Sequence, residues 1–238
     1  MATKVALLML VLLFYIEGCL SLKGTFHVCE NLGLWEVERS LEKTGFHRLL
    51  TTRVLLNQEF IGHDCELVYM EDLPPDVYVD MDELRNRAEF GEPKVLSNSS
   101  INVELPASLA SAHYLWVFPQ IRKEFSEVTI QMPVHLRYQK PMTSRSTVYL
   151  SLRPPQLYLR CSEPPVVDCA TVAGPCASDD HNSCQLYPLA SHLRSSILHF
   201  QVPVGAREHV TLVTTVTALS SIGGMICTLY FTMTSKAC

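Results

Sequence analysis

The tripeptide Asp80-Met81-Asp82 is the arrangement in this sequence that comes nearest to a catalytic motif. Luminal glycosyltransferases often use an Asp-x-Asp pair to hold a metal ion or a donor substrate, because carboxylate oxygens are hard ligands for divalent cations. The tripeptide is also common by chance, and here it starts a short helical pattern that continues to Arg87. We therefore expect Asp80 to cap this helix and Asp82 to lie in its first turn, where the helix dipole favours an acid.

The histidines do not form a recognisable catalytic motif. Four of them lie on strand-like stretches, where we expect exposed polar positions: His47, His113, His135 and His199. His63-Asp64 indicates a turn. The sequence contains neither a Gly-x-Ser-x-Gly nucleophile motif nor a glycine-rich phosphate-binding loop. We expect no catalytic residues, no cofactor and no small-molecule substrate of the chain's own.

Six of the nine cysteines lie between the two long apolar segments of the chain: Cys29, Cys65, Cys161, Cys169, Cys176 and Cys184. An even number in an oxidising compartment predicts up to three disulfides, although the pairing stays open. The last four cysteines never reach the Cys-x-x-Cys spacing of a zinc site. Asp179-Asp180 and His181 lie among them, so a metal site is the alternative. Structural disulfides are the better interpretation.

The elements that must position these residues begin with an apolar stretch at the C-terminal end. Val210 to Met233 contains no charged residue. As a helix it would be about 36 Å long, enough to cross a hydrocarbon core of about 30 Å. We predict a transmembrane helix over 210–233, followed by a short cytoplasmic tail, 234–238.

A second apolar stretch, near the N-terminus, predicts which side of the membrane the chain occupies. Lys4 precedes Val5 to Ile16, and the small residues Cys19 and Ser21 stand at the −3 and −1 positions of a cleavage site. This pattern is typical of a signal peptide over 1–21. Residues 22–209 would then be luminal, as in a single-pass type I membrane protein.

Two other membrane attachments are the alternatives to this topology. The N-terminal stretch could remain as an uncleaved anchor, although it is short for a membrane span. A GPI-attachment signal also ends in an apolar tail, but Ser195-Ser196 is followed by a strand pattern instead of the polar spacer that such a signal requires.

The predicted luminal region has the composition of a folded β-rich domain. The chain is 47% hydrophobic and 18% charged, with a net charge of −5 and no basic block, so we expect no nucleic-acid partner. Glu127 to Tyr138 alternates apolar and polar residues over a dozen positions, which predicts a half-buried strand. Pro133 favours an edge or a bulge in it. We predict a mainly β protein with an antiparallel β-sandwich-like region, in one lobe or in two with a break near residue 143, plus one C-terminal transmembrane helix.

Two further features concern the surface. Asn98-Ser99-Ser100 is a glycosylation sequon in a polar stretch, so we expect Asn98 to carry a glycan. Small and hydroxyl-bearing residues recur at helical spacing in the apolar helix: Thr217, Ser220, Gly224 and Thr228. Such a stripe favours close packing of a partner helix.

Several segments together resemble the PIG-X family. They are Gly45-Phe46-His47-Arg48, Asp72 to Asp80, Pro133-Val134-His135-Leu136-Arg137-Tyr138, Cys161 to Cys184, and Phe200 to Gly205 ahead of the apolar helix. The resemblance covers about residues 44 to 233, in the same order and with the same topology. Each motif is short, so the specificity lies in their combination.

The resemblance implies an endoplasmic-reticulum protein without catalysis of its own. It would stabilise PIG-M, the multi-span mannosyltransferase that transfers the first mannose onto the glucosaminyl-phosphatidylinositol intermediate of GPI-anchor biosynthesis. It supplies no catalytic residues. The competing interpretation is a single-pass cell-surface receptor or adhesion module with a disulfide-bonded β domain. A luminal enzyme is a third class, which the lack of a site motif disfavours.

Overall fold

The structure is a computed structural model that describes residues 35–55, 65–119, 127–143, 146–162, 170–177, 183–189, 191–193 and 197–234. These residues form three sheets, which we number in chain order. The first sheet contains, from edge to edge, β12 (Ser191–Leu193), β1 (Trp35–Glu42), β2 (His47–Leu55), β7 (Glu127–Leu136) and β4 (Val77–Tyr78).

The second sheet has six strands, in the order β10 (Val172–Pro175), β11 (Ser183–Pro188), β9 (Gln156–Cys161), β3 (Cys65–Leu73), β6 (His113–Phe118) and β5 (Lys94–Ser97). The third is the pair β13 (Leu198–Pro203) and β8 (Thr147–Leu152). The described ladders are antiparallel except for β1 with β12, which is parallel. The predicted mainly β, antiparallel fold class is confirmed.

Strand β7 shows why the alternating pattern was informative. Its even-numbered residues from Val128 to Leu136 are buried, while Thr129 and Gln131 are exposed. Pro133 lies opposite Leu49 of β2. On the other side, β4 pairs only with the last two residues of β7, so Pro133 lies where β7 has a described ladder partner on one side only. This placement agrees with the predicted edge position, because proline has no N–H to donate to a second ladder.

Apolar residues from all three sheets share one core. Examples that are at most 1% exposed are Leu50, Val54, Leu67, Val117, Leu152 and Val202. We use the term β domain for the described residues from 35 to 206. Within it, the ladder between β3 and β9 joins strands from the two sides of residue 143.

A buried ion pair joins the first two sheets within this core. Arg39 of β1 donates to Oε1 of Glu71 on β3 at 2.5 Å, and their side chains are 1% and 0% exposed. The other guanidinium amine of Arg39 donates to the carbonyl of Arg153 at 2.6 Å. Burial raises the pKa of Glu71 to about 7, and the positive charge of Arg39 opposes that rise. The pair therefore links the two sheets, and removing one partner would leave a buried charge without its counter-ion.

Two disulfides reinforce the second sheet. Cys65 and Cys161 are directly opposite each other in the β3–β9 ladder, and their sulfurs are bonded across a sequence separation of 96 residues. Cys176 and Cys184 close the β10–β11 hairpin across only 8 residues. Cys29 and Cys169 lie outside the described residues.

Two α-helices complete the described fold, α1 (Met81–Ala88) and α2 (Val210–Thr234). A single 3₁₀ turn, Arg207–His209, leads into α2. Helix α2 is long and apolar enough to cross a membrane, and none of its residues is buried against the β domain. Its bounds agree with the predicted 210–233 within one residue.

Candidate interaction surface

Three segments far apart in the sequence meet at one end of the first sheet, and they are segments that carry the family resemblance. In the β2–β7 ladder His47 lies opposite His135, and in the β4–β7 ladder Tyr78 does. The backbone extends this meeting point beyond the ladders, since the N–H of Leu136 donates to the carbonyl of Phe46 at 2.7 Å. The fold therefore brings sequence positions near 46, 78 and 136 into one cluster.

Aromatic and imidazole rings cover this cluster. The ring of His135 lies 4.5 Å from that of His47 and 5.0 Å from that of Tyr78, and Phe46 lies 4.8 Å from Tyr138. We call these five residues the junction patch. Tyr138 is 74% exposed. A large aromatic side chain left in solvent next to other rings is a feature of protein interaction surfaces, because such rings bury a large area when a partner binds.

Arg137 supports the junction patch from its buried side. Its side chain is only 2% exposed, and its guanidinium lies 4.5 Å from the centre of the Tyr78 ring. It also donates to the carbonyl of Leu105 at 2.7 Å, and its backbone N–H donates to the carbonyl of Asp76 at 2.8 Å. Burial lowers the pKa of Arg137 and raises that of Tyr78. A buried cation beneath an aromatic ring, held by a hydrogen bond to a backbone carbonyl, helps to fix the position of that ring.

Arg48 connects the junction patch with the strand that leads into α2. Its guanidinium donates to the carbonyl of Gln201 on β13 at 2.7 Å and lies 5.3 Å from the centre of the Phe200 ring. Only six residues separate Pro203, the end of β13, from the first residue of α2 at Val210. The patch and the apolar helix therefore belong to one end of the molecule.

One ionisable group of the patch makes a polar contact with helix α1. Nε2 of His135 lies 3.4 Å from Oε2 of Glu83 on α1. Among the described residues, no group of three or more His, Cys, Asp and Glu side chains lies close enough together to hold a metal ion. The alternative metal ligands Asp179, Asp180 and His181 lie outside those residues, as do His63 and Asp64.

The histidines were predicted to be exposed, and for His113 this was wrong. His113 is 6% exposed, and its Nδ1 lies 3.0 Å from the hydroxyl of Ser99. Burial is the main reason that the pKa of His113 is lowered, and the positive charge of Arg137 lowers it further. His47 and His199 are exposed as expected, and His135 is half-buried. Sequence reasoning also missed that His47 and His135 are neighbours.

The acidic tripeptide has the predicted structural role. One carboxylate oxygen of Asp80, the residue before α1, accepts from the backbone N–H groups of Asp82 and Glu83 at 2.9 and 3.3 Å. Asp82 pairs with Arg85 at 2.8 Å in an exposed contact one helical turn away. The helix-cap prediction is confirmed.

Asn98 and the helix stripe are both on the surface. Asn98 is exposed just beyond β5, and its side-chain oxygen accepts from the N–H of Tyr114 at 3.0 Å. Thr217, Ser220, Gly224 and Thr228 are exposed on α2. The hydroxyl of Thr228 donates to the carbonyl of Gly224 at 2.9 Å, and nothing lies within 4 Å of a Cβ built at Gly224. The helix thus leaves room at this position for the close approach of another helix.

Comparison with known proteins supports the family resemblance along most of the chain. The PIG-X / PBN1 family model matches residues 43–233. A human protein named "GPI alpha-1,4-mannosyltransferase I, stabilizing subunit" is 28% identical over 187 residues, which is 76% of this chain and 72% of the relative. Proteins of the same name are 28% identical in mouse, over 84% of this chain and 80% of the relative, and 27% identical in rat, over 76% and 74%. The resemblance seen in the sequence is confirmed, and the chain belongs to the PIG-X / PBN1 family.

Proposed function

We propose that this protein is the non-catalytic stabilising subunit of the mannosyltransferase that adds the first mannose in GPI-anchor biosynthesis. The observation that carries the proposal is the family match over residues 43–233, together with three mammalian relatives that bear the name of this stabilising subunit. The use of Asp80 as a helix cap agrees with it, because the one catalytic-looking motif already has a structural task.

The proposed partner is PIG-M, the multi-span catalytic subunit. The names of the relatives support association with mannosyltransferase I. A partner that binds only the folded form of a protein raises the stability of that form by mass action. A stabilising subunit can therefore control how much active enzyme a cell contains without touching the substrate.

We propose that the protein resides in the endoplasmic-reticulum membrane as a single-pass type I protein. Helix α2 would be the span, and the β domain would be luminal. Two features of the β domain support this side of the membrane. Its disulfides require an oxidising compartment, and Asn98 is exposed, as a glycosylated asparagine must be.

The junction patch and helix α2 are the proposed contacts with the catalytic subunit. His47 and Tyr138 of the patch are exposed, and Arg48, next to His47 in the chain, is bonded to the strand that leads into α2. A multi-span enzyme beside α2 would therefore be within reach of the patch. Within the membrane, the stripe of Thr217, Ser220, Gly224 and Thr228 would pack against one of its helices.

The patch can be tested with two tyrosines of nearly equal exposure. Tyr138 in the patch is 74% exposed, and Tyr149 on β8 is 71% exposed. We expect Tyr138→Ala to reduce co-purification of the catalytic subunit in mild detergent, while Tyr149→Ala should leave it unchanged. Equal co-purification with both variants would exclude the patch as the contact. Loss of the subunit's own abundance with Tyr138→Ala would show a folding defect instead, so both levels are measured.

The function itself is tested by deleting the protein. We expect glucosaminyl-phosphatidylinositol to accumulate and GPI-anchored proteins to decrease at the cell surface, with recovery when the wild-type chain is restored. Normal surface GPI-anchored proteins in the deleted cells would contradict the proposal.

A further inference from the structure

We propose that the loop 140–143 is a membrane-seating surface, which lies in the phospholipid headgroup layer and fixes the tilt of the β domain on the bilayer. The inference rests on the part of the proposed function that makes α2 a membrane span. It goes beyond that function because it concerns contact with lipid and not with the catalytic subunit.

Backbone hydrogen bonds hold this loop against the segment that enters α2. The N–H of Met142 donates to the carbonyl of Gly205, and the N–H of Arg207 donates to the carbonyl of Met142, both at 3.0 Å. Met142 and Ala206 form a parallel bridge. One step earlier, the N–H of Val204 donates to the carbonyl of Ser146 at 2.8 Å. The segment between β13 and α2 is therefore bonded along its length and cannot act as a free hinge.

The position of Met142 relative to the membrane follows from these bonds. Arg207 starts the 3₁₀ turn whose three residues precede Val210, the first residue of α2. At about 2 Å of rise per residue, Arg207 lies about 6 Å above the start of the apolar helix. The headgroup region of one leaflet is roughly 5–7 Å thick. Since Met142 is bonded to Arg207, the loop lies at the depth of the headgroups.

The side chains of the loop suit such a layer. Lys140, Pro141, Met142 and Thr143 are all exposed, and Met142 remains 37% exposed although its backbone is fully engaged with the pre-span segment. Lys140 is a flexible cation that can reach lipid phosphates, while the apolar stems of the loop can lie against the acyl boundary. Arg207 adds a second cation beside the loop, and Glu208 follows it as an anion at this level.

A seated loop has a mechanical consequence for the junction patch. The span and the loop are two points of attachment to the bilayer, and β7 ends only four residues before Lys140. The height and direction of the patch above the membrane would then be fixed before any partner binds. Preorganisation of this kind reduces the entropy that binding must overcome.

The test places a photoreactive benzoylphenylalanine in the full-length chain, in microsomes, at position 142 or at position 129. Thr129 is exposed on β7, seven residues before Leu136, which separates it from the membrane end of the strand by about 23 Å. After irradiation, mass spectrometry of the labelled peptide identifies what was captured. We expect phospholipid adducts at position 142 and none at position 129.

The outcomes separate this inference from the proposed span. Absence of lipid adducts at position 142, or equal adducts at both positions, would overturn the seating. Capture of protein alone at position 142 would also overturn it, because a subunit would then cover the loop. Alkaline carbonate extraction reports on the span separately: release of the chain would refute the span, while a retained chain without lipid adducts at position 142 would refute only the seating.

Discussion

The two disulfides make a quantitative test of the fold, because they close loops of very different length. In the chain-entropy account, a cross-link stabilises the folded state by restricting the unfolded chain, and the effect grows with the logarithm of the loop length. The separation of 96 residues between Cys65 and Cys161 gives about 4.7 kcal/mol, whereas the 8 residues between Cys176 and Cys184 give about 2.5 kcal/mol.

The perturbation is removal of each pair by paired Cys→Ser substitutions in the full-length protein. Urea unfolding in detergent, followed by tryptophan fluorescence, measures the free energy of unfolding. We expect the variant without Cys65 and Cys161 to be less stable by roughly 2 kcal/mol than the one without Cys176 and Cys184. The matched control is Cys227→Ser, since Cys227 is a free, exposed cysteine on α2.

Two results would contradict this prediction or its assay. If the short-loop pair cost as much as the long-loop pair, the ordering by loop length would be refuted, together with the structural importance given to the β3–β9 cross-link. A large loss with Cys227→Ser would mean that the assay reports thiol chemistry and not loop closure.

Three further predictions concern single side chains. For Glu71, burial raises the folded-state pKa to about 7, above the value of about 4.3 in an unfolded chain. The wild type should therefore lose stability relative to Glu71→Gln as pH rises through that interval. An unchanged difference in urea midpoint between pH 5 and pH 8 would contradict this prediction. Asn98→Gln should abolish the mobility change that endoglycosidase H causes, and a glycan resistant to the enzyme would count against residence in the endoplasmic reticulum. Asp80→Ala should lower stability by about 1 kcal/mol through the lost helix cap yet still restore surface GPI-anchored proteins to deleted cells, and a folded but inactive variant would return a functional role to that carboxylate.

Sequence reasoning succeeded where one strand carries its own pattern. The buried face of β7, the cap at Asp80 and the bounds of α2 all follow from residues that are close in the chain. These features depend on local periodicity and capping, which a sequence displays directly.

It failed where burial depends on a distant partner. Strand β1 contains charged residues at half of its eight positions, and one of them, Arg39, is buried only because Glu71 lies opposite it in the other sheet. His113 is also buried, and its ring contacts the hydroxyl of Ser99. The junction patch was hidden too, since His47 and His135 become neighbours only through the β2–β7 register.

The most direct test of the central claim is the half-life of the catalytic subunit. A pulse-chase experiment would follow PIG-M in deleted cells and in the same cells with the wild-type chain restored. If this protein is a stabilising subunit, PIG-M should decay faster without it, and overexpressing PIG-M alone should partly recover surface GPI-anchored proteins. An unchanged half-life, with normal amounts of PIG-M but no transfer of the first mannose, would contradict the account and give this chain a direct part in the reaction.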